Sequence, residues 1–376
     1  MSGLYIHIPF CKQRCFYCDF YSTVGAKMAS RYVDALVAEL KMRCREIDMA
    51  SIHTLYIGGG TPSFLPPSLL EKLCGAVADY VDWRQLDEAT IEVNPEDVTL
   101  EYATKLRAIG FSRVSMGAQS MVDEELKAVN RRHSAAKVVE AFDALRGAGF
   151  DNISIDLIYG LPKQTLETWK YSIGCVLDLA PEHISAYSLM LTEGTPLYKL
   201  WKRGCFNEVS DEQYVEMYDT LVATLGKAGY EHYEISNFAL PGRYSRHNSA
   251  YWDMSAYLGL GASAYSWDGH VRRANVSEIH RYIYAVERGE SPCVEEPESD
   301  NDRYNDYLLT CLRTSRGIDL DVLQREFGES RLKHFLKNVE QFVGTGAIER
   351  CGRKYRISES SMMMSDAVIR ELIIVE

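Results

Sequence analysis

The chain of 376 residues is long enough for about two to three ordinary domains, or for one large α/β domain with an appendage. Its hydrophobic fraction of 46% and charged fraction of 25% are ordinary globular values, which excludes intrinsic disorder for most of the chain. The 41 Lys and Arg residues are outnumbered by 53 Asp and Glu residues, giving a formal net charge of −12. Nucleic-acid backbones attract positively charged surfaces, so we expect no nucleic-acid partner.

The sequence contains no apolar run of the roughly 20 residues that a membrane-spanning helix needs, and its start has no signal-peptide pattern. We therefore expect a cytoplasmic protein without a transmembrane segment. Ten cysteines are too dilute for a disulfide scaffold. Cys11, Cys15 and Cys18 are clustered, whereas the other cysteines are scattered and are expected to be small core residues.

Short β-rich runs alternate with helical patterns through the first half of the chain. This alternation predicts βα units around a parallel sheet. Six units fit an open or partial barrel as well as a doubly wound sheet. The predicted strands are 4–9, 54–60, 89–94, 113–118, 152–159 and 183–190, and the predicted helices between them are 28–45, 68–81, 99–108, 135–147 and 165–179.

After about residue 195 the alternation fades. A helix at 211–228, a Tyr- and His-rich stretch at 230–236 and a Gly/Ser/Ala segment at 257–266 predict a layer that completes the first unit. Two prolines among dense acidic residues then predict a linker, and the end of the chain reads as helices followed by a short β-like segment, typical of a small winged-helix-like domain. The predicted organisation is a barrel at 1–195, a completing region at 196–290, an acidic linker at 291–302 and a helix-rich C-terminal domain at 303–376.

The most informative motif is the C-x3-C-x2-C spacing of Cys11, Cys15 and Cys18, directly after the first predicted strand. Thiolates bind zinc or iron–sulfur clusters. Structural zinc prefers a fourth Cys or His close by, and none is adjacent. Three thiolates on a [4Fe–4S] cluster leave one iron open to another ligand. A zinc site and three unrelated structural cysteines remain as alternatives.

A second group of candidate residues lies where later predicted strands end. The turn Gly58-Gly59-Gly60-Thr61-Pro62 closes the second strand, and glycine permits close backbone approach to a ligand. Polar residues also lie near the carboxyl ends of later units, where barrel ligands bind. Glu92 suits a cationic group, Arg131 a carboxylate and Asp156 ribose hydroxyls. A helix cap, a backbone contact or a solvated surface arginine is the alternative for each. These polar residues are Glu92, Gln119, Arg131 and Asp156.

Together these motifs resemble the radical S-adenosylmethionine (SAM) superfamily. Within it, the chain resembles the branch that contains anaerobic coproporphyrinogen III dehydrogenase (HemN) and the haem-binding HemW proteins. The resemblance runs over nearly the whole chain. It is carried by Tyr5-Ile-His-Ile-Pro-Phe-Cys11, Tyr17-Cys18, the Gly-Gly-Gly-Thr-Pro turn, Ser115-Met-Gly-Ala-Gln119, Val129-Asn-Arg131 and Asp156-Leu-Ile-Tyr-Gly-Leu-Pro162.

The resemblance implies a partial (β/α)6 barrel of the triosephosphate isomerase (TIM) type. It implies a [4Fe–4S] cluster on Cys11, Cys15 and Cys18, with SAM beside it. Some members bind a second SAM, and whether this chain binds one or two stays open. The implied SAM contacts are Tyr5, Tyr17, Gly59, Gly60, Thr61, Glu92, Gln119, Arg131 and Asp156.

Three features favour the HemW branch over the dehydrogenases. The dehydrogenases carry a fourth cysteine two residues after the third, where this chain has Phe20, and they have an extension before the cluster motif, which here begins at residue 11. The third feature is an H-N-x-x-Y-W motif associated with haem in that branch. Imidazole is a common axial ligand of haem iron, and aromatic rings offer flat faces to a porphyrin; a hydrogen-bonded core corner is the alternative. The motif residues are His247, Asn248, Tyr251 and Trp252.

The resemblance therefore implies a haem chaperone that binds a [4Fe–4S] cluster, SAM and haem and passes haem to an apo-haem-protein acceptor. An electron donor such as flavodoxin or ferredoxin is implied if SAM is cleaved, and whether the chain is an enzyme stays open. One rival hypothesis is an oxygen-independent coproporphyrinogen III dehydrogenase that forms protoporphyrinogen IX. Another is a zinc-bound binding module that uses the C-terminal domain to contact a partner.

Overall fold

The structure is a computed structural model that describes residues 2–375. The strands in this part of the chain are β1 (Ser2–Ile8), β2 (Phe10–Cys11), β3 (Thr23–Val24), β4 (Ile52–Gly59), β5 (Glu88–Val93), β6 (Arg113–Gln119), β7 (Ile153–Tyr159), β8 (His183–Ser188), β9 (Glu231–Glu234), β10 (Asn237–Ala239), β11 (Tyr257–Leu260), β12 (Tyr265–Trp267), β13 (Arg272–Asn275), β14 (Cys293–Glu296), β15 (Ile318–Asp319), β16 (Ile348–Cys351) and β17 (Lys354–Ile357).

Six of the thirteen α-helices in residues 2–375 begin within one residue of the positions that the helical periodicity predicts, and the other seven had no predicted start. Several have a threonine or serine N-cap; Thr165, for example, forms a capping box with Thr168 at the start of α6. The helices are α1 (Ala29–Arg43), α2 (Pro67–Ala78), α3 (Leu100–Ile109), α4 (Asp123–Ala128), α5 (Ala135–Gly147), α6 (Leu166–Leu179), α7 (Pro196–Lys202), α8 (Asp211–Lys227), α9 (Arg246–Trp252), α10 (Ile279–Glu287), α11 (Asp300–Leu312), α12 (Leu320–Thr345) and α13 (Ser365–Arg370).

A twelve-stranded sheet forms the centre of the fold, in the order β14-β13-β12-β11-β1-β4-β5-β6-β7-β8-β10-β9. The six predicted strands correspond to β1, β4, β5, β6, β7 and β8, and they pair in parallel in that order. The predicted α/β class and central parallel sheet of a partial barrel are therefore confirmed.

The region that was predicted to complete the barrel extends the sheet at both edges. On one side β10 and β9 add antiparallel strands to β8. On the other side β11 pairs in parallel with β1, so that the sheet has a seventh parallel strand. The predicted Gly/Ser/Ala segment 257–266 is thus part of the sheet itself.

Strand residues alternate between two environments, as the two-residue period of a strand requires. On β1, Leu4, Ile6 and Ile8 are fully buried in the apolar core under the helices. On β7, Ser154 and Asp156 alternate with the apolar residues and face the concave side. The sheet therefore has an apolar helix-covered face and a polar inner face on which a ligand site can form.

The C-terminal part is helical with a small sheet of order β15-β17-β16. The segment predicted as an acidic linker, 291–302, contributes β14 to the main sheet and contains the start of α11. The backbone of α12 has a kink at Gly328, whose φ is 80°. The predicted domain boundaries at residues 195, 290 and 302 remain predictions. The first and last residues of the predicted domains, Met1 and Glu376, lie outside the described residues.

Candidate cofactor site

The three clustered cysteines lie on a loop that follows β1 directly. Cys11 ends β2, which pairs with β3 at the far end of the loop. Backbone hydrogen bonds from Thr23 to the Pro9 carbonyl (2.7 Å) and from Gly25 to the Cys11 carbonyl (2.9 Å) close the loop at its base. The loop is therefore tied to the carboxyl end of the first parallel strand.

The cysteine loop and the strand ends enclose one cavity of about 350 Å³. The structure thus brings most of the predicted cluster and SAM residues together, although they are spread over much of the chain. The predicted residues that line this cavity are Cys11, Cys15, Cys18, Tyr17, Gly59, Gly60, Thr61, Glu92, Gln119, Arg131, Asp156 and Asn248.

The glycine turn after β4 is shaped by close backbone packing. A Cβ atom on Gly60 would lie 2.9 Å from the carbonyl oxygen of Ile8 and 3.0 Å from that of Phe10. The Gly60 amide donates a hydrogen bond to the same Ile8 carbonyl, at 2.8 Å. The absence of a side chain at this position lets the turn lie against the strand that leads into Cys11.

Glu92 and Asp156 are half-buried carboxyl groups on the inner face of the sheet. Glu92 accepts hydrogen bonds from the Tyr56 hydroxyl (2.7 Å) and the Gly59 amide (2.9 Å), and burial raises its pKa to about 7. Asp156 accepts from the Ser115 hydroxyl at 3.1 Å, and burial raises its pKa also. Each carboxylate is held by neutral donors, which leaves its charge available to a cationic or hydroxylic ligand.

Arg131 links the cysteine loop to the sheet. Its guanidinium donates to the Cys15 sulfur (3.4 Å), the Asn94 side-chain oxygen (2.9 Å) and the Gly117 carbonyl (2.5 Å). Gln119, at the end of β6, has a φ of 68°, which is unusual for a residue other than glycine. The register of β6 against β7 shifts at this point, so Gln119 is turned out of the regular ladder.

The three thiols fit a multi-iron cluster. They line one cavity, and two of them already accept hydrogen bonds, Cys11 from Thr61 (3.5 Å) and Cys15 from Arg131. Within residues 2–375, no group of three His, Cys, Asp or Glu side chains is positioned to hold a single metal ion. The three thiolates of a [4Fe–4S] cluster lie farther apart than ligands of a single ion, because each thiolate binds a different iron.

The predicted SAM contact Tyr5 does not line this cavity. Its hydroxyl pairs with the His7 ring at 3.0 Å, and its side chain lines a neighbouring cavity of about 650 Å³. Tyr251 and Trp252 of the H-N-x-x-Y-W motif line the same second cavity. Phe20, which is 66% exposed, borders both cavities.

His247 is buried between these cavities, with both ring nitrogens hydrogen-bonded. Nδ1 pairs with the Thr54 hydroxyl and Nε2 with the Tyr251 hydroxyl, each at 2.9 Å. Burial lowers the pKa of His247 to about 3, so its imidazole is neutral. The ring stacks on Tyr56 with 5.2 Å between centroids. In this conformation His247 is part of a hydrogen-bonded core, and binding of a metal by its ring requires one of these hydrogen bonds to break.

Two cavity residues were missed by the sequence analysis. Tyr56 connects Glu92, to which it donates, with His247, on which it stacks. Arg113 lines the cavity although its side chain is only 1% exposed. In sequence Tyr56 reads as an ordinary apolar strand residue and Arg113 as a charge at a strand start. The two-residue alternation with Ser115 is the pattern that places Arg113 on the inner face.

Taken together, a cysteine loop after the first strand and a polar cavity at the carboxyl ends of a partial parallel barrel define a radical SAM protein. The family model for the radical SAM superfamily matches residues 5–174.

Relatives along nearly the full length define the branch. The chain is 32% identical to the heme chaperone HemW of Lactococcus lactis over 99% of this chain and 97% of that protein. It is 34% identical to HemW of Bacillus subtilis over 88% of each chain. The chain belongs to the HemW family of radical SAM proteins.

Two further comparisons also cover nearly the whole chain. The mouse protein named radical S-adenosyl methionine domain-containing protein 1, mitochondrial, is 29% identical over 99% of this chain and 87% of its own. The solved structure of coproporphyrinogen III oxidase (HemN) from Escherichia coli aligns with a TM-score of 0.84 at 24% identity, covering 99% of this chain and 90% of that one. The fold is therefore HemN-like. No helix within residues 2–375 is long and apolar enough to cross a bilayer.

Proposed function

We propose that this protein is a haem chaperone of the radical SAM type, which binds a [4Fe–4S] cluster, SAM and haem and transfers haem to an apo-haem-protein acceptor. The observation that carries the proposal is the single cavity in which the three cysteines, the glycine turn and the buried polar residues meet. The full-length similarity to HemW chaperones supports the haem-handling part.

Each group of residues has a defined task in this proposal. Cys11, Cys15 and Cys18 hold the cluster, and Arg131 places a positive charge beside the Cys15 sulfur. A [4Fe–4S] cluster held by these cysteines would supply the electron for reductive cleavage of SAM to methionine and a 5′-deoxyadenosyl radical. An electron donor of the flavodoxin or ferredoxin class fits this need.

The inner face of the sheet orients SAM. Glu92 faces the cationic groups of SAM, and Asp156 accepts hydrogen bonds from its ribose hydroxyls. The close partners of both carboxylates are neutral, so their charge is available to the ligand. The turn at Gly59 and Gly60 lets backbone amides approach the methionine end, and Tyr17, Thr61 and Gln119 complete the walls.

Haem is assigned to the second cavity, at the H-N-x-x-Y-W motif. Tyr251 and Trp252 present aromatic surfaces to this space, which suits a flat porphyrin. Asn248 lines the first cavity from the same short helix, α9. The motif therefore lies between the proposed SAM and haem positions, and His247 supports it from inside.

The test is an anaerobic reconstitution that measures iron, sulfide, SAM and haem per chain, followed by transfer of haem to an apo-haem-protein. We expect cluster iron, SAM binding and tight haem binding. His247→Ala should weaken haem binding, whereas His280→Ala, at an exposed position on α10, should not.

Three outcomes would overturn the proposal. They are absence of tight haem binding by the wild type, unchanged haem affinity in His247→Ala, and conversion of coproporphyrinogen III to protoporphyrinogen IX by the same sample. The last would establish the rival dehydrogenase. Zinc in place of iron and sulfide would establish the binding module.

A further inference from the structure

Arg113 is a buried cation that the proposed site leaves unexplained. It begins β6, is 1% exposed, and lies on the inner face with Ser115 and Gly117, all of which line the SAM cavity. The pairing of β5 with β6 sets Arg113 opposite Thr90 and Ser115 opposite Glu92. Arg113 is therefore one layer below the predicted SAM contacts, toward the floor of the cavity.

The guanidinium of Arg113 lacks an ordinary partner. Its buried Nε has no hydrogen-bond acceptor, and across residues 2–375 the side chain forms no ion pair within 4.0 Å. An isolated charge inside a protein has a large desolvation cost unless other charges balance it. The position of Arg113 thus requires negative charge at a somewhat longer distance.

Two carboxylates supply that charge from neighbouring strands. Glu92 on β5 and Asp156 on β7 line the same cavity, and their close partners are hydroxyl and amide groups without charge. Burial raises the pKa of each, and the positive charge of Arg113 acts against that rise. The other two arginines of the cavity have partners of their own: Arg131 donates to Cys15, Asn94 and Gly117, and Arg14 donates to the carbonyls of Cys18 and Phe20.

Below Arg113 lie a third carboxylate and several neutral groups. Glu88 on β5 is 2% exposed and accepts hydrogen bonds from the backbone amides of Arg246 (3.0 Å) and His247 (3.1 Å). His183 pairs with the hydroxyls of Ser154 (2.8 Å) and Tyr233 (2.7 Å), and burial followed by the charge of Arg113 lowers its pKa. The same two causes lower the pKa of His247. The positive charge of Arg113 acts to lower the pKa of six titratable groups, each on a different element. These groups are Tyr56, Glu92, Asp156, His183, Tyr233 and His247.

We propose that Arg113 is a positioning residue for SAM, the shared counter-charge that keeps Glu92 and Asp156 ionised so that both accept hydrogen bonds from the ligand. The inference rests on the SAM-binding part of the proposed function. Arg113 acts through these two carboxylates from below and has no contact with SAM in this proposal. The guanidinium then forms no close ion pair because it balances the charge of two carboxylates at once.

The sign of the effect follows from the charges. Without the cation the pKa of both carboxyl groups rises, so Glu92, whose pKa is already about 7, becomes protonated at neutral pH. A protonated carboxyl group loses its attraction for a cationic ligand. Affinity for SAM should therefore fall at neutral pH and recover as the pH rises.

The experiment measures the SAM dissociation constant by calorimetry between about pH 6 and pH 9.5, on anaerobically reconstituted wild type, Arg113→Gln and Arg113→Lys. A rise of one unit from a Glu92 pKa of about 7 lowers the ionised fraction at pH 7 from about one half to about one eleventh, so Arg113→Gln should bind SAM about fivefold more weakly at that pH. Its pH midpoint should lie about one unit or more above that of the wild type. Arg113→Lys keeps the charge and should keep the wild-type midpoint.

An unchanged midpoint in Arg113→Gln overturns the inference, even if affinity falls equally at every pH, because a packing role gives that result. A Lys variant that shifts as far as the Gln variant also overturns it. If Arg113→Gln fails to fold, the double variant Arg113→Gln/Asp156→Asn should recover folding by removing one charge of each sign, and failure to recover rejects the shared-charge model. A wild type that binds no SAM rejects the proposed function instead.

Discussion

At the residue scale, side chains of the same type have different surroundings at different places in the fold. Cys15 lines the polar cavity and accepts a hydrogen bond from Arg131, whereas Cys205 is exposed at the end of α7. Only the first of these environments brings a thiol together with two others and with a stabilising cation. We therefore expect cluster binding at the loop of Cys11, Cys15 and Cys18 and none at Cys205.

Cys15→Ser should abolish the cluster, because a serine hydroxyl rarely ionises at neutral pH and is a poor iron ligand. Iron and sulfide per chain after anaerobic reconstitution are the measurement. Cys205→Ser is the matched control and should retain the wild-type amounts. Full iron content in Cys15→Ser would show that a different ligand holds the metal.

Glu92→Gln should remove the pH dependence of SAM binding near neutrality. Burial places the pKa of Glu92 at about 7, so its charge, and with it the wild-type affinity for SAM, declines as the pH falls through this value. At about pH 8 the loss of a charge-assisted hydrogen bond should weaken binding roughly tenfold. Glu101→Gln, an exposed change on α3, is the control for SAM calorimetry. A slope through neutrality that persists in Glu92→Gln would contradict the assignment.

At the scale of elements, the site depends on how closely β4 and its turn approach the cysteine loop. Gly60 lies against the backbone of Ile8 and Phe10, where even a methyl group would be too close to two carbonyl oxygens. The same backbone leads directly into Cys11. The glycine turn therefore helps to fix the backbone before Cys11, a proposed cluster ligand.

Gly60→Ala should both destabilise the protein and reduce its iron content. Overpacking against rigid backbone typically costs about 1–3 kcal/mol, and relief of the clash would displace the strand before Cys11. Urea unfolding and iron analysis are the measurements. Gly75→Ala on α2 is the control, since its new Cβ meets nothing within 4 Å, and it should stabilise the helix by up to about 1 kcal/mol. Equal behaviour of the two variants would refute this role for the turn.

At the scale of the whole molecule, local patterns predicted the local structure well. The six parallel strands and six of the thirteen α-helices in residues 2–375 follow from apolar periodicity, and the cysteine spacing with the glycine turn indicated residues that the structure brings to one candidate cavity. The pairing of β11 with β1 was not predicted, because partners such as Gly3 and Tyr257 are far apart in sequence and no local pattern encodes their contact.

Side-chain surroundings were the other gap. Sequence alone left open whether His247 binds haem iron or belongs to a hydrogen-bonded core corner, and in the structure Thr54 and Tyr251 occupy both of its nitrogens. Arg113 was predicted only as the first residue of a strand, and the sheet buries it on the inner face. Both residues depend on which strand lies opposite them, so their roles follow from the tertiary structure.

The same tertiary packing leads to a prediction about how the molecule unfolds. One continuous apolar core includes Leu4 of β1 as well as Leu312 and Phe335 of the C-terminal helices. Backbone hydrogen bonds join the two parts directly, from Ile235 to the Arg313 carbonyl (3.0 Å) and from Ser315 to the Tyr233 carbonyl (3.1 Å). A shared core of this kind favours a single cooperative transition.

Tryptophan makes this prediction measurable, because all 5 tryptophans precede residue 303. Tryptophan fluorescence therefore reports mainly on the first part of the chain, with Trp252 and Trp267 at its border with the C-terminal residues, whereas far-ultraviolet circular dichroism also reports on the C-terminal helices. We expect the two urea transitions to coincide, with the same midpoint and slope. A second circular-dichroism transition without a fluorescence change would show instead that residues 303–375 unfold independently, as a separate C-terminal domain would.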